Sequence, residues 1–385
     1  MDFVPFFRPS VGTEEEEAVL SVLRSGWLTT GEVTARFEEE FAGYTGTRHA
    51  LAVNSATAGL HLALEALGVG PGSVVITTPY TFAATAEVVR YLGADPLFVD
   101  IQPDTMNIDP EAVAAACEQC RRDGRRVSAI LPVHVAGLPC DMVSLVRIGE
   151  RYGVPVVEDA AHAFPVRIAG RFAGCVGDAG AFSFYATKTM TTGEGGMLVT
   201  DRDDIARRAR IMRLHGIDRD VWNRYTAAGA SWRYDVVAPG FKYNLTDIAA
   251  AIGRVQLKRA ADFLARRAAI ARRYREAFAG LDFLRLPEAP DNHAWHLFVV
   301  RVKEKELGFG RDRFAEELTR RGIGISVHFI PLPMMSYYRE RYGLRPEDFP
   351  RAMECFRTAI SLPLAPAHTD DEVEHVITSV RAVRP

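Results

Sequence analysis

Over the first two thirds of the chain, short apolar runs alternate with helix-like segments, and this alternation restricts the fold more than any other feature. Leu51-Ala52-Val53 precedes a helix expected over about 57–67, and Val74-Val75-Ile76 precedes one over about 81–92. Leu97-Phe98-Val99 leads to a helix that takes Pro110 in its first turn and runs to about Cys120. The apolar run 127–133, a helix over 141–152 and a strand over 154–157 continue the series, and 179–184 and 197–200 read as two more strands. Apolar strands separated by helices are buried on both faces, so the pattern calls for an α/β fold with a mostly parallel sheet. Ligands of such sheets bind beyond the carboxyl ends of the strands.

The texture changes near Asn244. Thr246 can cap a long helix running to about Ala279, with Ile248, Ile252, Val255 and Leu264 on its apolar side. After it come a strand over 297–302, a helix over 313–321, a strand over 323–329 and a final helix over 370–380. A length of 385 residues allows more than one domain. The expected division is a large α/β domain over 1–250 and a smaller α+β domain over 251–385.

Composition excludes several functions. A net charge of −3 gives no general attraction to nucleic acid or to an anionic membrane. The start, Met1 to Pro9, lacks the basic and then apolar pattern of a signal peptide, and no stretch approaches the roughly 18 apolar residues of a membrane span. The five cysteines are scattered. Cys117 and Cys120 fall within a helical run with no second pair to complete a zinc site, so no metal is expected, and reduced thiols in a cytoplasmic protein are.

Two strand ends carry chemistry. Val156-Val157-Glu158-Asp159 ends in an aspartate, and the run 181–184 leads to Lys188 among small and hydroxyl residues. A lysine amine facing an aspartate across adjacent strand ends suits pyridoxal phosphate. The amine condenses with the cofactor aldehyde, and the carboxylate keeps the pyridine nitrogen protonated so that the ring accepts electrons. Asn54-Ser55-Ala56-Thr57-Ala58-Gly59 joins the first strand to a helix, where small residues and unpaired N–H groups suit a phosphate and Thr57 adds a hydroxyl. Ser183 offers another hydroxyl. Phe82, leaving the next strand, is placed to stack on the ring, and His162 to bond Asp159 or pack beside the ring. Gly193-Glu194-Gly195-Gly196 reads as a tight turn returning the chain to the sheet after Lys188.

These segments resemble those of the DegT/DnrJ/EryC1/StrS sugar aminotransferases. The resemblance runs from Ser25–Gly31 and Ser55–Gly59 through Glu158–His162, Phe182–Gly196 and Gly240–Asn244 to Trp295–Phe298, Val327–Phe329 and Leu362–Leu364. Within that family Ser55–Gly59 and Ala294–Phe298 look most like the branch that aminates a UDP-linked 4-keto-pentose for lipid A modification. Tyr185, Thr191–Glu194 and the stretch 218–237 with Trp222, Tyr225 and Trp232 depart from it.

The resemblance implies an aspartate aminotransferase-like fold (fold type I) and pyridoxal 5′-phosphate alternating with pyridoxamine phosphate. It makes Lys188 and Asp159 catalytic, assigns Ala56, Thr57, Phe82, His162 and Ser183 to the cofactor, and puts Asn244 at the cofactor of a neighbouring subunit in a homodimer with shared sites. Trp27, Thr30, Tyr185 and His328 are the candidates for the sugar. The implied reaction moves an amino group from glutamate to a nucleotide-linked keto-sugar at C4, for amino-sugar and surface polysaccharide biosynthesis. A 3-keto-sugar aminotransferase, a pyridoxamine-dependent sugar dehydratase and a non-catalytic regulator are the rivals. Retention of Lys188 speaks against the dehydratase, and retention of both Lys188 and Asp159 against the regulator.

Overall fold

Seven strands assemble in the order β3-β2-β4-β5-β8-β9-β1 in the computed structural model, which describes residues 3–218 and 234–384. They are β1 (His49–Val53), β2 (Ser73–Thr77), β3 (Asp95–Phe98), β4 (Arg126–Leu131), β5 (Val157–Asp159), β8 (Ala179–Ser183) and β9 (Gly196–Thr200). Bridges from Ile130 to Val156 and from Val133 to Asp159 join β4 to β5. The short strands β6 (Arg167–Ile168) and β7 (Arg171–Phe172) form a separate hairpin. Only β9 runs against the other strands of the sheet, pairing antiparallel with β1 and β8. The expected mostly parallel sheet is therefore present. Its one reversed strand is the direct return of the chain after Lys188, through a loop that forms no crossover helix.

Helices cover both faces because the strands are apolar on both. Leu60, Leu62 and Leu64 of helix Ala56–Ala66 pack on Leu51, Val53, Ala181 and Leu198. Phe37 and Phe41 of helix Glu32–Thr45 pack on Phe182, Phe184 and Met197. The carboxyl ends of β1, β2, β5 and β8 lie at one edge and deliver Ser55, Phe82, Asp159 and Ser183 toward a common space.

The C-terminal part holds an antiparallel sheet of β10 (Leu284–Arg285), β11 (Phe298–Val302) and β12 (Ala359–Leu362), with helices Arg311–Arg320 and Asp370–Arg381 packed in a second cluster. Two sequence expectations change here. The single helix expected from Thr246 divides into Asp247–Lys258 and Ala260–Phe278. Thr246 does cap its start, accepting from the Ala249 N–H. At Arg259 the backbone N–H turns to Gln256 and Leu257 while the guanidinium pairs with Glu15. Packing changes at this break: Ala250, Leu257 and Ala260 join the large-sheet core, whereas Ile270, Tyr274 and Phe278 join the C-terminal cluster. The strand expected over 323–329 is extended chain with only two bridges, Ile323 to Val4 and Ser326 to Ser361. No helix among the described residues is long and apolar enough to cross a membrane.

Candidate active site

A cavity of about 610 Å³ opens at the carboxyl edge of the large sheet, between it and segments beyond residue 290. Ala56, Thr57, Phe82, Asp159, His162, Ser183, Tyr185, Lys188 and His328 all line it. Nine of the twelve residues singled out from sequence are thus brought to one space.

Lys188 stands on a loop that is tied shut at its base. The Phe184 N–H donates to the Gly195 carbonyl, the Phe184 carbonyl accepts from the Thr192 N–H and the Thr191 hydroxyl, and the Lys188 N–H donates to the Tyr185 carbonyl. The amine therefore leaves a fixed frame rather than a free coil. Burial pushes it down to about 8 against the opposing pull of Asp159, and the charge on Arg267 pushes the same way. A sizeable neutral fraction at physiological pH suits a nucleophile and proton carrier.

Asp159 ends β5 and is buried. Its Oδ2 accepts from the Thr85 hydroxyl at 2.9 Å and its Oδ1 from the Ala161 N–H at 3.2 Å. Burial holds its carboxyl above the ordinary range, against these two hydrogen bonds and the charge on Lys188. The cationic pyridine nitrogen expected beside it acts in the lowering direction. Thr85, linked in turn to Thr81 at 2.8 Å, was not singled out from sequence. The only signal was its position four residues after Thr81, on one side of a helical turn.

His162 does not bond Asp159. It packs against His296 with ring centroids 4.2 Å apart and stacks on Phe329 at 5.7 Å. Burial, then Lys188, drives His162 well below the ordinary imidazole value, and His328 falls to about 4 for the same reasons. Both rings are neutral, and His328 is held by Ser361 at 2.9 Å.

At the other end of the cavity, Ser55 caps helix Ala56–Ala66, accepting from the Ala58 N–H at 3.1 Å. Ser55, Ala56 and Thr57 line the cavity here, so the start of the helix, with its unpaired N–H groups, meets it at a place that suits an anion. Gly196 permits it. A Cβ there would lie 2.5 Å from the Ser55 carbonyl carbon and 2.6 Å from the Ala56 nitrogen, so any larger residue would push β9 off the helix start. Phe82 lines the cavity with 65% of its surface exposed, a ring with a free face. A helix start for a phosphate, an aromatic face for a ring, a buried carboxylate and an amine of lowered pKa together fit pyridoxal phosphate.

Trp27, Thr30 and Asn244 do not line this cavity. Asn244 donates to the Thr30 hydroxyl at 2.7 Å, the Trp27 indole donates to the Thr30 carbonyl at 3.2 Å, and Asn244 bridges to Val53. They form a cluster of their own beside the end of β1. Trp222, Tyr225 and Trp232 lie outside the described residues.

A model of the DegT/DnrJ/EryC1/StrS aminotransferase family matches residues 9–381. The chain belongs to this family. It is 45% identical over 384 residues to SpsC of Bacillus subtilis, a spore coat polysaccharide biosynthesis protein, covering 99% of this chain and 97% of that one. Spr1654 from Streptococcus pneumoniae, in its pyridoxamine phosphate form, superimposes with a TM-score of 0.90 at 33% identity, covering 99% of this chain and 98% of its own. Its pyridoxal phosphate form gives 0.89. PseC from Helicobacter pylori, an aminotransferase involved in the biosynthesis of pseudoaminic acid, gives 0.89 at 28% identity, covering 100% and 99%. Family and geometry agree: this is an aminotransferase, its α/β fold is that of the pyridoxal phosphate enzymes, and pyridoxal phosphate is its cofactor.

Proposed function

We propose that this aminotransferase moves an amino group from glutamate to C4 of a nucleotide-linked keto-sugar, in the making of an amino sugar for a surface polysaccharide. The observation that carries the reading is the convergence of the Lys188 amine, the Asp159 carboxylate and the Ser55–Thr57 helix start on one cavity of about 610 Å³. SpsC, by its name, works in polysaccharide biosynthesis, and PseC, by its description, serves pseudoaminic acid biosynthesis; both support a sugar as acceptor.

The bound cofactor supplies a ring that withdraws electrons from the carbon bearing the transferred amine. The chain's residues do the rest. Asp159 holds a positive charge on the ring nitrogen, and Thr85 and the Ala161 N–H fix its orientation. Lys188 Nζ removes a proton from the amine-bearing carbon of glutamate in the first half of the exchange. In the second half it delivers one to the carbonyl-derived carbon of the sugar. Ala56, Thr57 and Ser183 would hold the phosphate, Phe82 and His162 would bracket the ring, and Tyr185 and His328 would meet the sugar.

The working unit is proposed to be a homodimer with shared sites, in which Asn244 and its companions Thr30 and Trp27 complete the neighbour's cavity. Their clustering away from their own chain's cavity wall supports this. In a two-fold pair the same patch serves both subunits. A cytoplasmic location is supported by the five free cysteines.

The test is direct. Purified enzyme should be yellow, bleach with glutamate and regain colour with a nucleotide 4-keto-sugar from a small panel that includes 3-keto isomers. Borohydride reduction and peptide mapping should place the label on Lys188, and Lys188→Ala should abolish turnover. Label on Lys242 or Lys258, or turnover with 3-keto sugars alone, would overturn the reading. For the dimer, exchange of subunits between inactive Lys188→Ala and a bulky Asn244 variant should restore partial activity.

A further inference from the structure

Two helix starts far apart in sequence meet at one buried carboxylate. Helix Glu32–Thr45 opens on Gly31, which has no side chain to receive the free N–H groups of its first turn. Asp247, at the start of helix Asp247–Lys258, receives them instead. Its Oδ1 accepts from the Gly31 N–H at 2.8 Å, the Thr34 N–H at 2.9 Å and the Thr34 hydroxyl at 2.6 Å, and its Oδ2 from the Val33 N–H at 3.3 Å. The Asp247 N–H donates to the Thr29 carbonyl at 3.2 Å. Asp247 is 2% exposed. A Cβ at Gly31 would lie 2.8 Å from Asp247 Oδ2 and 2.3 Å from the Trp27 indole nitrogen, so the turn closes on the carboxylate with no room for another side chain.

This clamp grips the chain on both sides of Thr30, at Thr29 and at Gly31. The Thr30 hydroxyl donates to the Leu245 carbonyl and accepts from the Asn244 amide at 2.7 Å. Asn244 spends one N–H there and, among the described residues, keeps its second N–H and its carbonyl oxygen for another partner. The chain leading into this cluster leaves apolar side chains uncovered: Leu20 and Leu23 on helix Thr13–Ser25, and Leu28 just after it, are exposed. A second copy of the chain, covering this face and taking up the half-used amide, accounts for both.

We propose that Asp247 is a positioning residue for the neighbouring subunit's active site. It clamps Thr30, and Thr30 aims the Asn244 amide that reaches the neighbour's cofactor. This rests on the shared-site reading and adds to it the residue that orients the shared group. A side chain oriented in advance does not lose its rotamer freedom on binding. A carboxylate suits the place because all four donors face an acceptor oxygen. An amide could keep three of them on its single oxygen only by turning its own NH2 toward the Val33 N–H.

The test reads cofactor retention in holoenzyme, as the loss of visible absorbance on dilution into cofactor-free buffer. Asn244→Ala should speed that loss roughly 10- to 100-fold, the worth of one charge-assisted hydrogen bond. Asp247→Asn should speed it by a smaller factor, roughly 3- to 10-fold, and the two losses should not add in the double variant. Thr30→Val cuts the link to Asn244 while leaving Asp247 all four bonds. It should match Asp247→Asn, which keeps a test in hand if the latter does not fold. The last arm is a hybrid dimer of one Asp247→Asn and one Lys188→Ala subunit, isolated by a different tag on each. Its only site with Lys188 is faced by an intact Asp247, so its turnover should decay on dilution at the wild-type rate. A role confined to stability would instead add to the Asn244 loss and follow the subunit that carries the substitution. Unchanged cofactor loss in Asp247→Asn or Thr30→Val, additive losses in the double variant, or hybrid decay at the Asp247→Asn rate overturns the proposal. If Lys188→Ala and the bulky Asn244 variant also fail to complement each other, the shared-site reading falls with it.

Discussion

Glu158 and Asp159 are neighbours on one three-residue strand, both buried, and the protein treats them in opposite ways. Glu158 is saturated. Its Oε1 accepts from the N–H groups of Val176 and Gly177 at 2.6 and 2.7 Å, and its Oε2 from the Gly174 N–H at 2.8 Å and from His134 Nε2 at 3.0 Å. His134 Nδ1 accepts the Cys140 N–H, so the imidazole is neutral and donates through Nε2. The loop that wraps Glu158 fits only because Gly180 lacks a side chain: a Cβ there would sit 1.9 Å from the Gly174 carbonyl oxygen. Asp159 receives only Thr85 and Ala161 and lines the cavity. Successive strand residues face opposite sides of the sheet, so one step along β5 separates a carboxylate that holds the fold from one that lines the cavity and is proposed to serve the cofactor. Spare hydrogen-bonding capacity, more than burial, distinguishes the member of the pair proposed to be functional.

Substitutions can break this comparison. Asp159→Asn should keep the melting temperature close to wild type while turnover falls by more than the roughly 10- to 100-fold that a charge-assisted hydrogen bond is worth, because an amide cannot hold the ring nitrogen protonated. Near-normal turnover would remove Asp159 from its role. Glu158→Gln should show the reverse. One oxygen cannot serve four donors, and the new amide would face N–H groups, so stability should drop by roughly 3–5 kcal/mol in denaturant unfolding. The folded fraction should retain its absorbance and most of its turnover at low temperature. If instead turnover collapses with stability intact, the two carboxylates are not divided as described.

A pH experiment sharpens the functional side. The Lys188 amine lies at about 8 in the folded protein, below its ordinary value of 10.5. The unfolded chain then binds more protons between these values, so stability of the cofactor-free protein should rise with pH across that window, by on the order of 3 kcal/mol at most. Below pH 8 the cost of burying the cation is fully present, and Lys188→Met should remove it. Equal pH slopes for the two proteins would contradict the depressed value. The smallest effect belongs to Thr85→Val, which removes one donor from Asp159 without changing shape. It should cost about 1 kcal/mol and raise the acidic limb of the pH–rate profile. A fully unchanged profile would mean that Thr85 does not hold Asp159.

Much of this was legible in the chain itself. Alternating apolar runs specified a mostly parallel sheet because a strand buried on both faces has no other composition open to it. Lys188, Asp159 and the Ser55–Thr57 turn could be named because each ends a strand, and ends of parallel strands meet at one edge. What only the tertiary structure decided depended on residues far apart in sequence or on atoms that no periodicity records. That Glu158 is structural follows from a loop some sixteen to nineteen residues later folding back over it. Thr85, not His162, reaches Asp159, because the helix after β2 enters at that angle and His162 is drawn instead to His296. The break at Arg259 follows Glu15, 244 residues earlier. The buried Arg267 reads in sequence as one more arginine in an arginine-rich helix, and only the carbonyls of two distant segments, Trp295–His296 and Leu364, and the ring of Phe7 give it a place behind the cavity wall.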